Sequence, residues 1–478
     1  MDIGQVLPSA ADAPRLAITN LAYATDQVTP GTLFFCVRGF TRDGHDFAPQ
    51  AIAKGAVALV VERPLGLGVP EVLVDNVRVA MAPAAANFYG DPTAALQTVG
   101  ITGTNGKTTT AFLVRDLLEA GGRQTGLLGT VKSVIGGREH EVERTTPEAI
   151  DLQRTFKQML QAGDVAVAME VSSHALELHR ADAIHFAVAM FTNLTQDHLD
   201  FHPTMEDYFQ AKRRLFTEAA PRHAVVNLDD AYGARLAAEL DGALTFALHD
   251  AAATYQAVDV ELGLHGSQFS VRGPDGVHQL SSPLRGRFNV YNVLGAFAAG
   301  RALDVPVESA VEAVRSAGRV PGRFEAVDEG QDFAVIVDYA HTPDSLENVL
   351  RAARALTDKR VHVVFGAGGD RDRGKRPLMG EIASRLADVV IVSSDNPRSE
   401  EPEAIIQDIL AGAAPGTVHE VDRRLAIAQA IGAADAGDVV VIAGKGHEQG
   451  QEFAGGFKVP FDDATVAREA LRRIALRN

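Results

Sequence analysis

The sequence predicts an α/β protein in which parallel sheets carry helices on both faces. Three observations lead there. Short apolar runs rich in Val and Ile end in polar or glycine-containing turns, as strands buried on both faces do. Helix-period segments lie between most of these runs. The chain, at 478 residues, is longer than one hydrophobic core serves, so two to four domains are expected.

The predicted strands are 58–61, 97–102, 165–171, 186–193, 224–227, 334–338, 361–365, 389–393 and 439–443, and helical periodicity marks 109–119, 343–356 and 402–411. Clusters of Pro, Gly and small residues near 88–92 and 320–324 place domain boundaries there, giving domains of 1–88, 89–322 and 323–478. In parallel sheets ligands bind beyond the carboxyl ends of the strands, and the polar, motif-like residues of this chain fall there.

Composition narrows the function classes. A hydrophobic content of 46% with 22% charged residues is that of a soluble globular protein. No apolar run approaches the roughly 18 residues of a membrane span. The first twenty residues lack the basic head and apolar stretch of a secretory signal. The single cysteine, Cys36, excludes an internal disulfide. A cytoplasmic monomer acting on small molecules is expected. A net charge of −17 argues against nucleic acid as a partner, because phosphate backbones need clustered cations.

The strand 97–102 runs into Gly103-Thr104-Asn105-Gly106-Lys107-Thr108-Thr109, and a helix follows. Gly103 and Gly106 let backbone N–H groups close around phosphate oxygens. The helix N-terminus adds positive potential. Lys107 reaches for the β- and γ-phosphates of a nucleotide, and the Thr108 hydroxyl for its Mg2+. Ile101 stands where the strict Walker pattern has its first glycine, so only the Gly-Lys-Thr half of that pattern is met.

This loop resembles the short phosphate loop shared by Mur ligases and folylpolyglutamate synthases. The resemblance continues along nearly the whole chain, through Thr145-Thr146-Pro147, Glu170-Val171-Ser172-Ser173-His174, Thr192-Asn193-Leu194-Thr195-Gln196-Asp197-His198-Leu199-Asp200, Asp338-Tyr339-Ala340-His341-Thr342-Pro343 and Asp395-Asn396-Pro397-Arg398. It is greatest to the diaminopimelate-adding members of the Mur ligase family. It implies a smaller N-terminal α/β domain for the UDP-muramoyl substrate, a central P-loop ATPase domain with a parallel sheet, and a C-terminal Rossmann-like domain for the incoming amino acid.

What the resemblance implies of the residues is specific. Thr108 and Glu170 serve one Mg2+ and His198 a second. Lys212 is carbamylated to N6-carboxylysine, which turns a cation into an oxygen ligand; that chemistry needs a neutral amine and so a depressed pKa. Lys107, Glu170, His198 and Lys212 form the catalytic set. Asn289, Asn292, Arg323 and His341 join the ATP site.

Tyr23, Thr25, Phe40, Thr41 and Arg42 belong to the uridine end of the substrate, with Ala24-Thr25-Asp26 where the family has Asp-Ser-Arg. Thr145, Thr146, Ser172, Ser173 and Arg180 hold its peptide end, with Leu178 where a glutamine is usual.

The incoming amino acid is read from three strand ends. Arg371, in Gly369-Asp370-Arg371, and Arg398, in Asp395-Asn396-Pro397-Arg398, offer bidentate forks for two carboxylates. Glu448 and the Gly444 carbonyl suit an ammonium. The expected reaction is ATP-dependent formation of an acyl phosphate on the D-glutamyl γ-carboxylate, followed by attack of the meso-diaminopimelate amine, with ATP and Mg2+ required and domain closure gating turnover. The alternatives are a lysine-adding or other Mur-type ligase, a folylpolyglutamate synthase, a phosphoryl-transfer kinase, and a non-catalytic nucleotide-dependent binding protein on the same scaffold.

Overall fold

The computed structural model describes residues 1–10, 14–142, 144–263, 266–318 and 320–475. The chain forms two compact units. One comprises Met1–Thr102, Gly122–Met190 and Gln210–Ala224, the other Gly103–Gly121, Phe191–Phe209 and Val225–Asn478.

The first unit begins with a small parallel sheet of β1 (Asn20–Ala22), β2 (Thr32–Phe35), β3 (Ala56–Val61) and β4 (Glu71–Leu73), in that order. Its core is Ile3, Leu21, Leu33, Phe35, Val60 and Met81. The helix Val77–Tyr89 closes this sheet; Asn76 caps its start and Gly90, at φ 80°, ends it.

The same unit holds β5 (Gln97–Thr102), β6 (Thr125–Leu128), β7 (Ser133–Ile135), β8 (Arg138–His140), β9 (Ala166–Glu170) and β10 (Phe186–Phe191). They run in the order β10-β5-β9-β6-β7-β8. β9 pairs in parallel with both β5 and β6, so Glu170 emerges at a carboxyl edge. The predicted strand 186–193 stops at Phe191, because Thr192 and Asn193 turn their side chains onto Asn105.

In the second unit β11 (His223–Asn227), β12 (Leu244–Ala247) and β13 (Tyr255–Gly263) are parallel, and β13, β14 (Gly266–Gly273) and β15 (Gly276–Ser282) are antiparallel. The antiparallel strands, which the sequence reading did not mark, extend the parallel set. β13 and β15 carry exposed positions among buried ones, and β14 exposes Gln268 and Arg272, as in a sheet with one wetter face.

The helix Lys107–Ala120 packs on helices Arg287–Ala302 and Val307–Arg315. A six-stranded sheet follows: β16 (Glu325–Val327), β17 (Ala334–Asp338), β18 (Val361–Phe365), β19 (Val389–Ser393), β20 (Val418–Glu420) and β21 (Val439–Ala443), in the order β16-β17-β21-β18-β19-β20, with only β16 antiparallel. Along β21, Val439, Val441 and Ala443 enter one core while Val440 and Ile442 enter the other. Two covered faces explain the unbroken apolar runs, and they bring four strand ends, at Asp338, Phe365, Ser393 and Ala443, to one edge.

The opposite edge is pinned by Asp438, which is 3% exposed. It accepts from Arg360 N at 3.0 Å, Arg360 Nε at 3.1 Å, Asp435 N at 3.0 Å and His362 Nε2 at 2.9 Å. Burial pushes its carboxyl up, but the Asp435 N–H, His362 and Arg360 prevail and hold it well below the usual carboxylate range. A depressed native pKa contributes stability that is present above the unfolded value and lost as pH falls through the native one. Asp438→Asn is therefore expected to cost about 1–3 kcal/mol at neutral pH. The difference from wild type should shrink below about pH 4, as read from urea unfolding at stepped pH.

Candidate active site

The phosphate loop is shaped by crowding. Gly103 sits at φ 145° and Gly106 at φ 86°. A Cβ on Gly103 would stand 1.9 Å from Thr192 Oγ1, and one on Gly106 2.3 Å from Asn292 Oδ1. Both positions therefore require glycine twice over, by conformation and by space.

Asn193 braces the loop: its carbonyl accepts from Thr104 N at 2.9 Å and its side chain from Asn105 N at 2.8 Å. Lys107 Nζ donates to the carbonyls of Gly103 (2.9 Å) and Thr104 (2.8 Å), which places the ammonium over the loop. Asn289 and Asn292 are buried beneath it. Asn292 Nδ2 donates to Asn289 Oδ1 at 3.0 Å, and Asn289 Nδ2 to the Arg285 carbonyl at 2.8 Å. Asn292 also packs closely against the loop at Gly106. Arg323 Nη2 donates to Thr108 Oγ1 at 3.0 Å while its guanidinium lies 4.4 Å over the Tyr339 ring.

A residue that sequence reasoning missed ties this loop to the six-stranded sheet. The Asp344 carboxylate accepts from Asn105 Nδ2 at 2.7 Å and Thr195 Oγ1 at 3.3 Å. Burial raises its pKa against the pull of those bonds. Its signal was its position directly after His341-Thr342-Pro343.

The strand ends of the six-stranded sheet enclose a cavity of about 200 Å3. Arg371, Asp395, Asn396, Arg398, Gly444 and Glu448 line it, as the motif reading expected. His198, expected as a metal ligand, and His341, expected near ATP, stand on the same wall with Asp197, Asp200 and Lys375. Pro397 is not among the lining residues; its carbonyl packs 1.9 Å from where a Gly369 Cβ would be.

Arg398 Nη1 donates to the Gly369 carbonyl at 2.8 Å and its Nε faces Glu452 at 3.2 Å. Arg371 donates to its neighbour's carbonyl, that of Asp370, at 3.0 Å.

Lys445 was also missed, hidden in a Gly-Lys-Gly turn that read as flexible backbone. It is fully buried and donates to Asn396 Oδ1 at 2.8 Å, Glu448 Oε2 at 2.9 Å and Asp395 Oδ1 at 3.4 Å. Burial drives the Asp395 carboxyl up, but Lys445 and Arg423 outweigh it and keep it below the usual range. Asp395 is thus ionised and already balanced from within the protein.

Asp197 is likewise held low, burial being outweighed by His198, His341 and Lys375. His341 is shifted the other way in charge terms: burial and Lys375 lower its pKa, so its imidazole is neutral at pH 7.

In the first unit Glu170 accepts from Thr130 N at 2.7 Å and Thr130 Oγ1 at 3.1 Å. Thr145 Oγ1 lies 3.1 Å from Thr130 Oγ1. Thr146 Oγ1 donates to the Glu170 carbonyl at 3.0 Å and accepts from Ser172 N at 3.2 Å. Ser172 caps the helix Ser173–Glu177, and Ser173 is buried.

Arg180 reaches the Thr146 carbonyl at 3.3 Å and Glu148 at 3.0 Å. Arg78 (2.9 Å) and Arg144 (3.2 Å) also converge on Glu148. Three guanidiniums around one carboxylate leave a surplus of positive charge suited to an anionic peptide. Glu148, Arg78 and Arg144 were not found from sequence, though Glu148 directly follows Thr-Thr-Pro.

Lys212 is 1% exposed on the helix Met205–Thr217. Tyr23 donates to Asp151 Oδ2 at 2.6 Å, and the Thr25 carbonyl accepts from Lys54 at 2.8 Å. Phe40, Thr41 and Arg42 occupy a separate exposed turn closed by Gly39 N to the Arg42 carbonyl at 2.9 Å.

Among the described residues no group of three or more His, Cys, Asp or Glu could hold a metal by itself. The donors assigned by motif do suit Mg2+ in kind. The Thr108 hydroxyl and Glu170 carboxylate are hard oxygens, and Mg2+ bound with a nucleotide takes few protein ligands beside phosphate and water.

The chain matches three family models: "Mur ligase family, catalytic domain" over residues 17–89, "Mur ligase middle domain" over 101–300 and "Mur ligase, glutamate ligase domain" over 322–446. It is 49% identical over 469 residues, 95% of each chain, to the UDP-N-acetylmuramoyl-L-alanyl-D-glutamate--2,6-diaminopimelate ligase of Geobacillus thermodenitrificans. It is 46% identical to the protein of that name from Streptomyces coelicolor, covering 99% of this chain and 96% of that one. A solved structure described by the same name superimposes with a TM-score of 0.71 at 32% identity, over 99% of both chains.

Lys445→Met would leave Glu448 and Asn396 without their shared donor and Asp395 with Arg423 alone. Breaking a buried pair from one side costs about 3–5 kcal/mol. A loss of that size is expected in chemical denaturation followed by hydrogen exchange of β21; a loss below about 1 kcal/mol would contradict the assignment of Lys445 as the buried counter-charge.

Proposed function

The chain belongs to the Mur ligase family, and from that premise we propose that it joins meso-2,6-diaminopimelate to UDP-N-acetylmuramoyl-L-alanyl-D-glutamate using ATP, a step in peptidoglycan precursor synthesis. The observation that carries the choice of amino acid is the pairing of Arg371 and Arg398 on the wall of one cavity with Glu448 and Gly444. Two guanidiniums answer two carboxylates, and Glu448 answers an ammonium. Lysine lacks one carboxylate and would leave a guanidinium desolvated and unpaired, at roughly 2–5 kcal/mol. The same reading makes the protein a cytoplasmic monomer; no helix among its described residues is long and apolar enough to cross a membrane.

The reaction follows from the parts. Lys107 and the loop amides orient the triphosphate. Its γ-phosphoryl group passes to the D-glutamyl γ-carboxylate, giving an acyl phosphate and ADP. The diaminopimelate amine then attacks the acyl carbon and phosphate leaves. The attacking nitrogen must shed a proton, and His341, neutral because burial and Lys375 hold its pKa down, is available on the cavity wall to take it.

Mg2+, when bound, neutralises phosphate charge. Thr108, Glu170, His198 and an N6-carboxylated Lys212 are proposed as its donors. Arg180, Thr145, Thr146, Ser172 and Ser173 are proposed to hold the acceptor peptide, and Tyr23, Thr25 and Phe40 to Arg42 its uridine end.

A mass assay of the purified chain with ATP, the nucleotide dipeptide and a panel of diamino acids tests this. Diaminopimelate is expected to be incorporated over lysine by tens- to thousands-fold, and Arg398→Ala to abolish that preference. Equal use of lysine by the wild-type chain would end the proposal. In a separate assay, Lys107→Ala is expected to lose ATP-dependent ligation while still binding the nucleotide dipeptide in calorimetric titration; near-normal turnover would show that Lys107 does not serve the phosphates.

A further inference from the structure

The cavity arginines stand on two different loops, and each loop carries a residue in the left-handed region. Arg371 belongs to the loop after β18, Arg398 to the loop after β19. Asp370, beside Arg371, sits at φ 55°, and Arg398 itself at φ 50°. Side-chain-bearing residues avoid this region, and surrounding structure must over-determine it.

The two loops are stitched by Glu400. Its Oε1 accepts from Asp370 N at 2.7 Å and Arg376 Nη2 at 2.8 Å; its Oε2 accepts from Arg373 Nη2 at 2.6 Å and Arg376 Nη1 at 3.0 Å. Arg376 is fully buried and also donates to Asp408 at 2.9 Å and to the Gly368 carbonyl at 3.2 Å. Across the same seam Arg398 Nη1 meets the Gly369 carbonyl at 2.8 Å, and Gly369 N meets the Asn396 carbonyl at 2.9 Å. Glu400 itself does not line the cavity.

We propose that Glu400 is the positioning residue that fixes the separation of the Arg371 and Arg398 guanidiniums, and thereby makes the cavity selective for an amino acid with two carboxylates. The proposal rests on the reading of this cavity as the diaminopimelate site. One carboxylate receives a backbone N–H from the Arg371 loop and a bidentate fork from a fully buried arginine, so moving either loop breaks charged hydrogen bonds, of which those to Arg376 are shielded from water. Its chief partner Arg376 holds the Glu400 carboxyl down at about 2, so the tie persists at any pH at which the protein works.

The test is steady-state kinetics of the full-length chain, wild type against Glu400→Gln and Glu400→Asp, with diaminopimelate and lysine as alternative acceptors. If wild type does not incorporate diaminopimelate, the substrate reading fails and this inference with it. With wild type active, Glu400→Gln is expected to raise KM for diaminopimelate about ten-fold or more, to leave kcat and KM for ATP within about two-fold, and to lower the diaminopimelate-to-lysine ratio of kcat/KM. Glu400→Asp, which keeps the charge, should recover part of the loss. An unchanged KM and ratio in Glu400→Gln would overturn the proposal while leaving the substrate reading intact. So would a proportionate change of kcat and every KM, which a merely structural role predicts. If Glu400→Gln does not fold, Arg376→Lys, which keeps the charge without the fork, reads out the same split.

Discussion

The six-stranded sheet depends on settling its buried charges before any ligand arrives. At its carboxyl edge Arg423 and Asp463, both fully buried, face each other at 2.7 Å. Arg423 also donates to the Ala443 carbonyl at 2.8 Å, which ties the last residue of β21 to this pair. Asp395 is balanced by Lys445 and Arg423 together. An ion taken from water into such a place costs several kcal/mol unless paired and fully hydrogen-bonded. The internal pairing therefore decides which charges remain for a substrate. Lys445 is shared by Glu448 at 2.9 Å and Asp395 at 3.4 Å, whereas the Arg371 guanidinium donates to a neighbouring carbonyl.

The phosphate loop obeys a steric constraint instead. Its glycines are held against Thr192 and Asn292 so closely that no Cβ fits. The buried asparagines on helix Arg287–Ala302 spend their hydrogen bonds on one another and on backbone, which is how polar groups survive in a core. The outcome is a rigid bed for Lys107. Asp344 and Arg323 reach that bed from the segment carrying the six-stranded sheet, so the phosphate loop and that segment are hydrogen-bonded within one compact unit.

The strands of the six-stranded sheet were legible because both their faces are dry: 334–338, 361–365, 389–393 and 439–443 recur unchanged as β17, β18, β19 and β21. β13 to β15 were not, because one polar face dilutes an apolar run below notice. The cavity arginines were legible through short motifs at strand ends. Lys445 and Asp344 were not, since a lone charged residue reads as solvated, and only the fold shows Lys445 fully buried and Asp344 half-buried against the phosphate loop. Glu148 escaped for a related reason: its partners Arg78 and Arg180 are distant in sequence, and convergence of that kind leaves no local pattern. Lys212 looked like part of a wet basic helix face in isolation; the structure buries it.

The strained residues complete the argument about selectivity. Arg398 at positive φ is costly by about 1–3 kcal/mol, and a glycine there would relieve it, but glycine has no guanidinium. The Arg398 side chain donates from Nη1 to the Gly369 carbonyl of the neighbouring loop at 2.8 Å, a neutral partner. Glu452 lies beside the guanidinium at 3.2 Å and is a third exposed, the exposed Asp370 also feels its charge, and solvated pairs of that kind are weak. A guanidinium so placed is oriented without being neutralised. Orientation lowers the entropy lost on binding, and incomplete neutralisation leaves Coulomb energy for a ligand carboxylate to collect. Under the proposed reading of the cavity, strain at one residue, held by its neighbours' hydrogen bonds, serves discrimination at the site.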